Sequence, residues 1–546
     1  MRDPAATDIS LASNTDAGTI DFMTRKPGQT MAQDWMIVVF FVLLNAALKS
    51  IGPAINAAEY TDGFLQLQSW EMRIGIYPPL YEFLARAVAL TGISVESAAR
   101  AITLIAGALC VWPVFFMGKR LGGTRTAAVF AALLYTVSPL PWRWSGRIMT
   151  DALFLLFSTG AMVMLANCWT ALRHPGTPRN NPLPAHQLAL ATGFIALAGF
   201  TRYQGALLAP LLAIVFFFYL KNRRSVPWIA VTLAIISAAA AAWWVSVNQQ
   251  MHAGQFASRT AATPAATFFA WWNTLESFVL ISPYYFGYPI FAAALLGMAC
   301  VRRNAEIFRP RPAAVLWGIY AVLLLALQAA FGSFQYRYMM PLAPMVCALG
   351  GVGFAALEQL SARSTSTLFR ANLFRITVFA SLLYLTLFGL AILLLQRDTY
   401  GDQRAAATFI RKNIPASTPV FSNERYGPHV QLGSVKLSWW TGRPVRILAP
   451  EESLPAGSIV VLGTAYGGNE AVAATLDFLQ QHYTLRPLTP APFRSAIVPL
   501  MDDVMPNPLF NQNPLAWVLR YVPQEFATQV FEVQPKLPRT GGSHGS

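Results

Sequence analysis

The chain has 546 residues, of which 55% are hydrophobic and only 12% charged, with a mean hydropathy of +0.43 and a formal net charge of +15. This composition excludes an ordinary water-soluble enzyme and a disordered polymer, and describes a polytopic membrane protein. The basic residues are scattered over short connections, so their charge reads as a topology signal and an attraction to anionic lipid, and argues against nucleic-acid binding.

Residues 1–34 form a polar tail carrying Asp3, Asp8, Asp16, Asp21 and Asp34, so the first apolar run does not resemble a cleavable signal peptide and is expected to remain attached. A hydrocarbon core about 30 Å thick requires about 20 apolar residues per helix. Runs of this kind predict about eleven transmembrane helices: 35–53, 101–117, 127–140, 152–172, 188–200, 206–220, 228–247, 289–301, 313–331, 339–357 and 376–395. Several are shorter than a full span, as expected where helices end at a cavity or beneath a protein cap.

Lys119, Arg120 and Arg125, then Arg173 and Arg179, then Lys221, Arg223 and Arg224, then Arg302, Arg303, Arg309 and Arg311, then Arg363, Arg370 and Arg375 occupy alternate connections. By the positive-inside rule these loops are cytoplasmic, which places the amino terminus inside and everything after Gln396 outside. The expected location is the cytoplasmic (inner) membrane, with loops 54–100 and 248–288 facing the periplasm or exterior. Loop 54–100 holds two acids, Glu59 and Asp62, where a membrane enzyme would need a base. Further on, Leu80, Phe83, Leu84, Ala87 and Val88 recur at helical spacing with Glu82 and Arg86 on the other face, which reads as an interfacial helix or as a simple connector. Loop 248–288 carries Phe268, Phe269, Trp271, Trp272, Phe278, Tyr284, Tyr285 and Phe286, expected to form an aromatic belt, with sugar stacking or lipid gating as the alternative.

Residues 397–546 have the composition of a small extracytoplasmic α/β domain and tail: an amphipathic helix over 402–413, a strand near Val420, another over 458–462 and a helix over 469–481. The Gly-rich stretch 463–468 lacks both the dinucleotide fingerprint and the Walker lysine, and reads as a turn. Asp502 and Asp503 read as solvated. Cys110, Cys168, Cys300 and Cys347 lie in or beside apolar runs without paired spacing, which indicates buried thiols.

An ionisable residue at membrane depth costs on the order of 2.5 to 3.5 kcal/mol unless it is paired or wet. Arg147 and Asp151 are four apart, a spacing that puts both on one helix face, as a structural ion pair or as part of a site. Arg202 falls at a tight turn between two spans and Arg337, beside Tyr338, at the outer end of another; each alone is compatible with snorkelling to the headgroups. Together with Glu59 and Asp62 they map to one side of the membrane, and acids that take a proton with arginines that hold a phosphate fit group transfer from a lipid phosphate.

Tyr77-Pro78-Pro79-Leu80-Tyr81, Gly92, Ser94 and Arg100, Gly118-Lys119-Arg120-Leu121-Gly122-Gly123, Ser138-Pro139 and Thr150-Asp151-Ala152-Leu153 occur in that order. They are followed by Phe200-Thr201-Arg202-Tyr203-Gln204-Gly205 and by 337–344, Arg-Tyr-Met-Met-Pro-Leu-Ala-Pro. Over roughly residues 55 to 350 this order resembles the dolichyl-phosphate-mannose protein mannosyltransferase-like enzymes of the GT-C membrane glycosyltransferases. The resemblance implies a GT-C fold that moves a sugar from a polyprenyl-phosphate donor to an acceptor hydroxyl on a glycan, lipid or protein. It also implies an acid of the first outer loop as base; many relatives carry adjacent acids there, whereas Glu59 and Asp62 are separated by Tyr60 and Thr61, leaving open which one acts. Asp62 is assigned as base, with Glu59 orienting it or touching the sugar, Arg202 and Arg337 holding the donor phosphate, Arg147 and Asp151 shaping the acceptor side, and Tyr338 as a further substrate-binding residue. The donor carries its own activated bond, so no cofactor is expected. Two alternatives from other classes are a non-catalytic envelope scaffold and a lipid-linked glycan transporter; the latter should show repeated halves, and no internal repeat is visible.

Overall fold

Backbone amides in lipid must be satisfied within their own segment, so the apolar runs emerge as helices. The structure, a computed structural model, describes residues 27–55, 61–68, 70, 77–173, 182–222, 226–247, 272, 275–276, 278–280, 282–303, 312–331, 336–362, 367–424, 434–449, 453–466, 468–497 and 524–536. Glu59, Phe268, Phe269, Trp271, Asp502, Asp503 and the loop arginines Arg179, Arg223, Arg224, Arg309, Arg311 and Arg363 lie outside the described residues.

The helices run α1 (Pro27–Ile55), α2 (Thr61–Gln66), α3 (Leu80–Ala89), α4 (Val95–Leu109), α5 (Val111–Gly122), α6 (Arg125–Val137), α7 (Pro139–Ser145), α8 (Asp151–Arg173), α9 (Leu183–Thr201), α10 (Ala209–Asn222) and α11 (Trp228–Val247). After the second long connection come α12 (Tyr288–Arg303), α13 (Pro312–Phe331), α14 (Ala343–Ala362) and α15 (Thr367–Leu395). Among the described residues nine segments are long and apolar enough to cross a membrane, one of them α4 and α5 together, and two shorter apolar helices, Arg125–Val137 and Tyr288–Val301, fall where two further spans are expected. Small residues set the packing at the centre: α12 and α14 approach so closely that a Cβ on Gly297 would overlap the Leu349 carbonyl and one on Gly353 the Ala293 carbonyl.

One lysine that the hydropathy pattern hides sits inside the first span. Lys49 is fully buried and donates to the Gly107 carbonyl at 3.2 Å, where the Asn45 amide (3.3 Å) and the Tyr135 hydroxyl (3.2 Å) also converge, and its ammonium lies 4.3 Å from the centre of the Tyr135 ring. This knot ties α1, α4 and α6 together. At the amino-terminal end of α1, buried Asp34 pairs with Lys119 and with Arg125 (2.8 Å), so the basic α5–α6 connection lies at that end and α2 follows the opposite end.

Helix α3 forms where expected, with Phe83 and Ala87 of its apolar stripe exposed. Glu82 is fully buried on the other side, accepting from the Trp70 amide at 2.6 Å and from Arg86 at 2.9 Å. An apolar face turned outward and a carboxylate turned inward is the polarity of a helix lying against lipid. The aromatic-belt expectation fails at Phe278, Tyr284, Tyr285 and Phe286, all of which are buried, Tyr284 with its ring centre 5.4 Å from that of Phe388 on α15.

The carboxy-terminal region is α/β: α16 (Gly401–Asn413), β1 (Val420–Ser422), α17 (Val435–Thr441), β2 (Val445–Ile447), β3 (Ile459–Gly463), α18 (Gly468–His482), β4 (Tyr483–Pro487), β5 (Phe493–Ile497) and β6 (Gln524–Pro535). The sheet order is β2-β1-β3-β6-β4 with β5 also on β6; β2, β1 and β3 are parallel, and every pair made by β6 is antiparallel. Alternation along β3 sends Val460 and Leu462 to one core with Leu479 of α18, and Ile459 and Val461 to the face of Ala406, Ala407 and Ile410 of α16, which is continuous with the core of the helical bundle.

Under that second face lies a buried polar cluster. The Lys436 ammonium is 3.8 Å from Glu424 and 3.2 Å from the centre of the Tyr400 ring, while Asp402 accepts from Ser495 (2.8 Å) and Thr528 (2.6 Å). Burial pushes the Lys436 amine down from 10.5 to about 8, opposed by the nearby charges of Glu424 and Asp402. Between these two values the unfolded chain holds the proton more tightly than the folded one, so stability rises with pH across that window. Relative to Lys436→Met, the wild-type domain is expected to gain on the order of 3 kcal/mol between pH 8 and pH 10.5. Paired thermal melts at intervals across that range check this; parallel curves would refute it.

Candidate active site

Helix α2 has six residues, too few to be stable by backbone hydrogen bonding alone, so tertiary contacts hold it. Gly63 faces the connection that precedes α8, where a Cβ would overlap the Ile148 carbonyl. The Gln66 side chain accepts from the Thr150 amide at 2.8 Å and reaches the Met149 sulfur at 3.7 Å. Phe64 is fully buried against Trp439 and Trp440 of the carboxy-terminal region. These contacts place Asp62, 8% exposed, beside Arg337, with which it forms an ion pair.

Arg337 stands on a 3-10 turn, Tyr336–Leu342, that leads into α14; its other guanidinium nitrogen lies 3.3 Å from the Met149 sulfur. Next to it, the Tyr338 ring centre is 5.5 Å from the Arg337 guanidinium and 5.6 Å from that of Arg202. Arg202 caps α9 in an extended conformation, where the chain leaves the helix for the 3-10 turn Tyr203–Leu208, and it forms an ion pair with Asp151 while donating to Gln204 at 3.2 Å. Asp151 is the first residue of α8, where unpaired helix amides favour an acid. Its second oxygen, Oδ2, is buried without a hydrogen-bond donor among the described residues. Two carboxylates and two guanidinium groups from four separate connections therefore meet around one tyrosine.

One expectation is corrected and one alternative falls away. Arg147 precedes α8 and does not share a helix face with Asp151, because the helix begins only at Asp151; the acid pairs with Arg202 across the bundle instead, and Arg147 is buried nearby in sequence but is not seen in that pair. Arg202 and Arg337 do not snorkel outward, since each is drawn inward by a carboxylate. Tyr77 was visible in the sequence only as part of a Tyr-Pro-Pro motif. Its phenol is driven well above its usual pKa by burial first and by the charge of Asp62 second, with Arg337 and Arg202 opposing, which brings it into the same cluster as a neutral hydroxyl. Among the described residues no group of three or more His, Cys, Asp or Glu side chains is placed to hold a metal ion.

Residues 77–244 match the family model described as dolichyl-phosphate-mannose-protein mannosyltransferase. The fold is similar to that of ArnT from Cupriavidus metallidurans bound to undecaprenyl phosphate, with a TM-score of 0.57 and 13% identity over 83% of this chain and 96% of the other. It is also similar to the archaeal oligosaccharyltransferase AglB from Archaeoglobus fulgidus in complex with an inhibitory peptide and a dolichol-phosphate, with a TM-score of 0.53 and 12% identity over 84% of this chain and 74% of that one. The chain matches no curated protein by sequence. At these identities the structures establish the architecture, a GT-C-type membrane fold with a small carboxy-terminal sheet region.

Proposed function

We propose that this GT-C-type, mannosyltransferase-like membrane protein is a glycosyltransferase that moves a sugar from a polyprenyl-phosphate donor to an acceptor hydroxyl. The observation that carries the reading is the convergence of Asp62, Arg337, Tyr338, Arg202 and Asp151 from separate connections. An acceptor hydroxyl is a poor nucleophile until a carboxylate takes its proton, and a departing polyprenyl phosphate gains charge that guanidinium groups stabilise.

In this reading the acceptor oxygen bonds to the anomeric carbon, its proton passes to Asp62, and the bond from that carbon to the phosphate oxygen breaks with its electron pair leaving on the polyprenyl phosphate. Arg337 and Arg202 hold the phosphate, and Asp151, with one oxygen unsatisfied, receives an acceptor hydroxyl. The resting ion pairs give the sequence of events a direction. Arg337 occupies the Asp62 carboxylate in the resting site, so the donor phosphate, in drawing Arg337 to itself, opens that carboxylate to the acceptor hydroxyl. Glu59 remains a candidate to orient Asp62, and Arg147 to shape the acceptor side. The partners are a polyprenyl-phosphate sugar, a glycan, lipid or protein acceptor, and membrane lipid. The Asp34 cluster with Lys119 and Arg125 at the far end of α1 supports a site and carboxy-terminal domain facing the periplasm or exterior of the cytoplasmic membrane.

The test is purified protein in lipid, given a radiolabelled polyprenyl-phosphate sugar and isolated cell-envelope material as acceptor. Label is expected to leave the lipid phosphate for the acceptor. Label that stays quantitatively on a donor the protein demonstrably binds would exclude the enzyme and favour a scaffold or a transporter.

A further inference from the structure

We infer that the carboxy-terminal domain is a working part of the active site, because Trp439 and Trp440 of α17 hold Phe64 and through it set the position of Asp62; the inference rests on Asp62 being the base. The Phe64 ring lies 5.3 Å from that of Trp439, tilted by 31°, and 5.5 Å from that of Trp440, edge-on at 83°. In a helix successive residues turn by about 100°, so Asp62 and Phe64, two apart, project from nearly opposite sides of α2. One side is gripped by Arg337 and the other by the two indoles. Displacing α2 along that line moves the carboxylate directly towards or away from the guanidinium.

The indoles are themselves firmly held. Helix α17 is anchored by buried Val435, Lys436 and Leu437, by Ser434 and Lys436 on Glu424, and by the Ser438 hydroxyl, which accepts from the Val445 amide at 2.9 Å; it closes at Gly442 with φ of 69°. The polar cluster inside the soluble domain thus orients the tryptophans, the tryptophans fix Phe64, and Phe64 fixes the short helix that carries the acid. Gly63 and Gln66 hold α2 on the bundle side whether or not the indoles are present, so losing the indoles should loosen Asp62 without dismantling the bundle. The donor arginines stand on elements of the bundle, Arg202 at the end of α9 and Arg337 on the turn that leads into α14. Phe64, Trp439 and Trp440 are therefore positioning residues: their loss should affect turnover and leave phosphate binding intact.

The experiment uses full-length protein in lipid nanodiscs, with the Trp439→Ala/Trp440→Ala double variant, the Trp439→Phe/Trp440→Phe double variant, Phe64→Leu and Asp62→Asn. Three quantities are read: kcat, the Kd for polyprenyl monophosphate and the melting temperature. A misplacement on the scale of 1 Å lowers rate by about 10²-fold, and a fall of about that size is expected for the alanine pair, with phosphate affinity undiminished and most of the rate restored by the phenylalanine pair. Phe64→Leu keeps apolar volume while removing the ring, and is expected to fall between the two; it stands in for the alanine pair if that variant does not fold. Unaltered kcat in the alanine pair, or kcat and phosphate affinity lost together without rescue by phenylalanine, overturns the inference. Asp62→Asn separates this from the reading beneath it: an inactive Asn variant beside fully active tryptophan variants removes only the positioning role, whereas an active Asn variant removes the base assignment itself.

Discussion

Asp62→Asn is expected to lower sugar transfer by about 10²- to 10⁴-fold, the contribution of a positioned general base, while polyprenyl monophosphate binds more tightly than to the wild type. The second half follows from the ion pair. In the resting site the carboxylate occupies Arg337, so an arriving phosphate must compete with it for the guanidinium. A neutral amide competes far less well, and a charge-assisted hydrogen bond of about 1.5 to 3 kcal/mol corresponds to an increase in affinity of about tenfold or more. Isothermal calorimetry with polyprenyl monophosphate in nanodiscs measures the binding, and turnover of labelled donor measures the rate. Normal turnover by the Asn variant would defeat the base assignment. Weaker binding with turnover lost would leave the base in place and defeat the idea that the donor unmasks it.

Arg337→Met is expected to damage both fold and chemistry. It leaves Asp62 in a largely buried position without its guanidinium, and breaking a buried pair from one side typically costs about 3 to 5 kcal/mol. It also removes a donor aimed at the charge developing on the leaving phosphate, worth about 10²- to 10³-fold in rate. Combining it with Asp62→Asn distinguishes the two effects. The double variant should recover most of the lost melting temperature, since no charge is left stranded, and should remain inactive. A single Arg337→Met variant with wild-type stability and turnover would show that the pair contributes neither to the fold nor to catalysis.

Part of the site was legible because chemistry alone restricts it. Asp62, Asp151, Arg202 and Arg337 stand at the ends of apolar runs, where a charge costs free energy unless it is paired or wet, and each was found paired. Their pairing was not legible. Four-residue spacing suggested Arg147 with Asp151, but that argument presumes both lie on one helix, and the helix starts at Asp151. Lys49 was missed because a single lysine barely perturbs the hydropathy of a long apolar run, and its partners are a carbonyl and an aromatic ring with no charge to signal them. Strand β6 was missed because it follows the Asn- and Pro-containing stretch 506–514 and its pairing partners lie about 30 to 70 residues earlier.

The sequence by itself determined that the chain lives in lipid, where its spans run, where loop charges cluster and which side chains are too polar to sit there idle, since each of these follows from transfer free energies that depend on local composition. Only the tertiary structure decided which acid meets which arginine, that both guanidinium groups lie against one tyrosine ring, and that two tryptophans about 375 residues downstream brace the helix bearing Asp62. The physical reason is that Coulomb pairing and ring packing act over a few ångströms in space and carry no preference for separation along the chain.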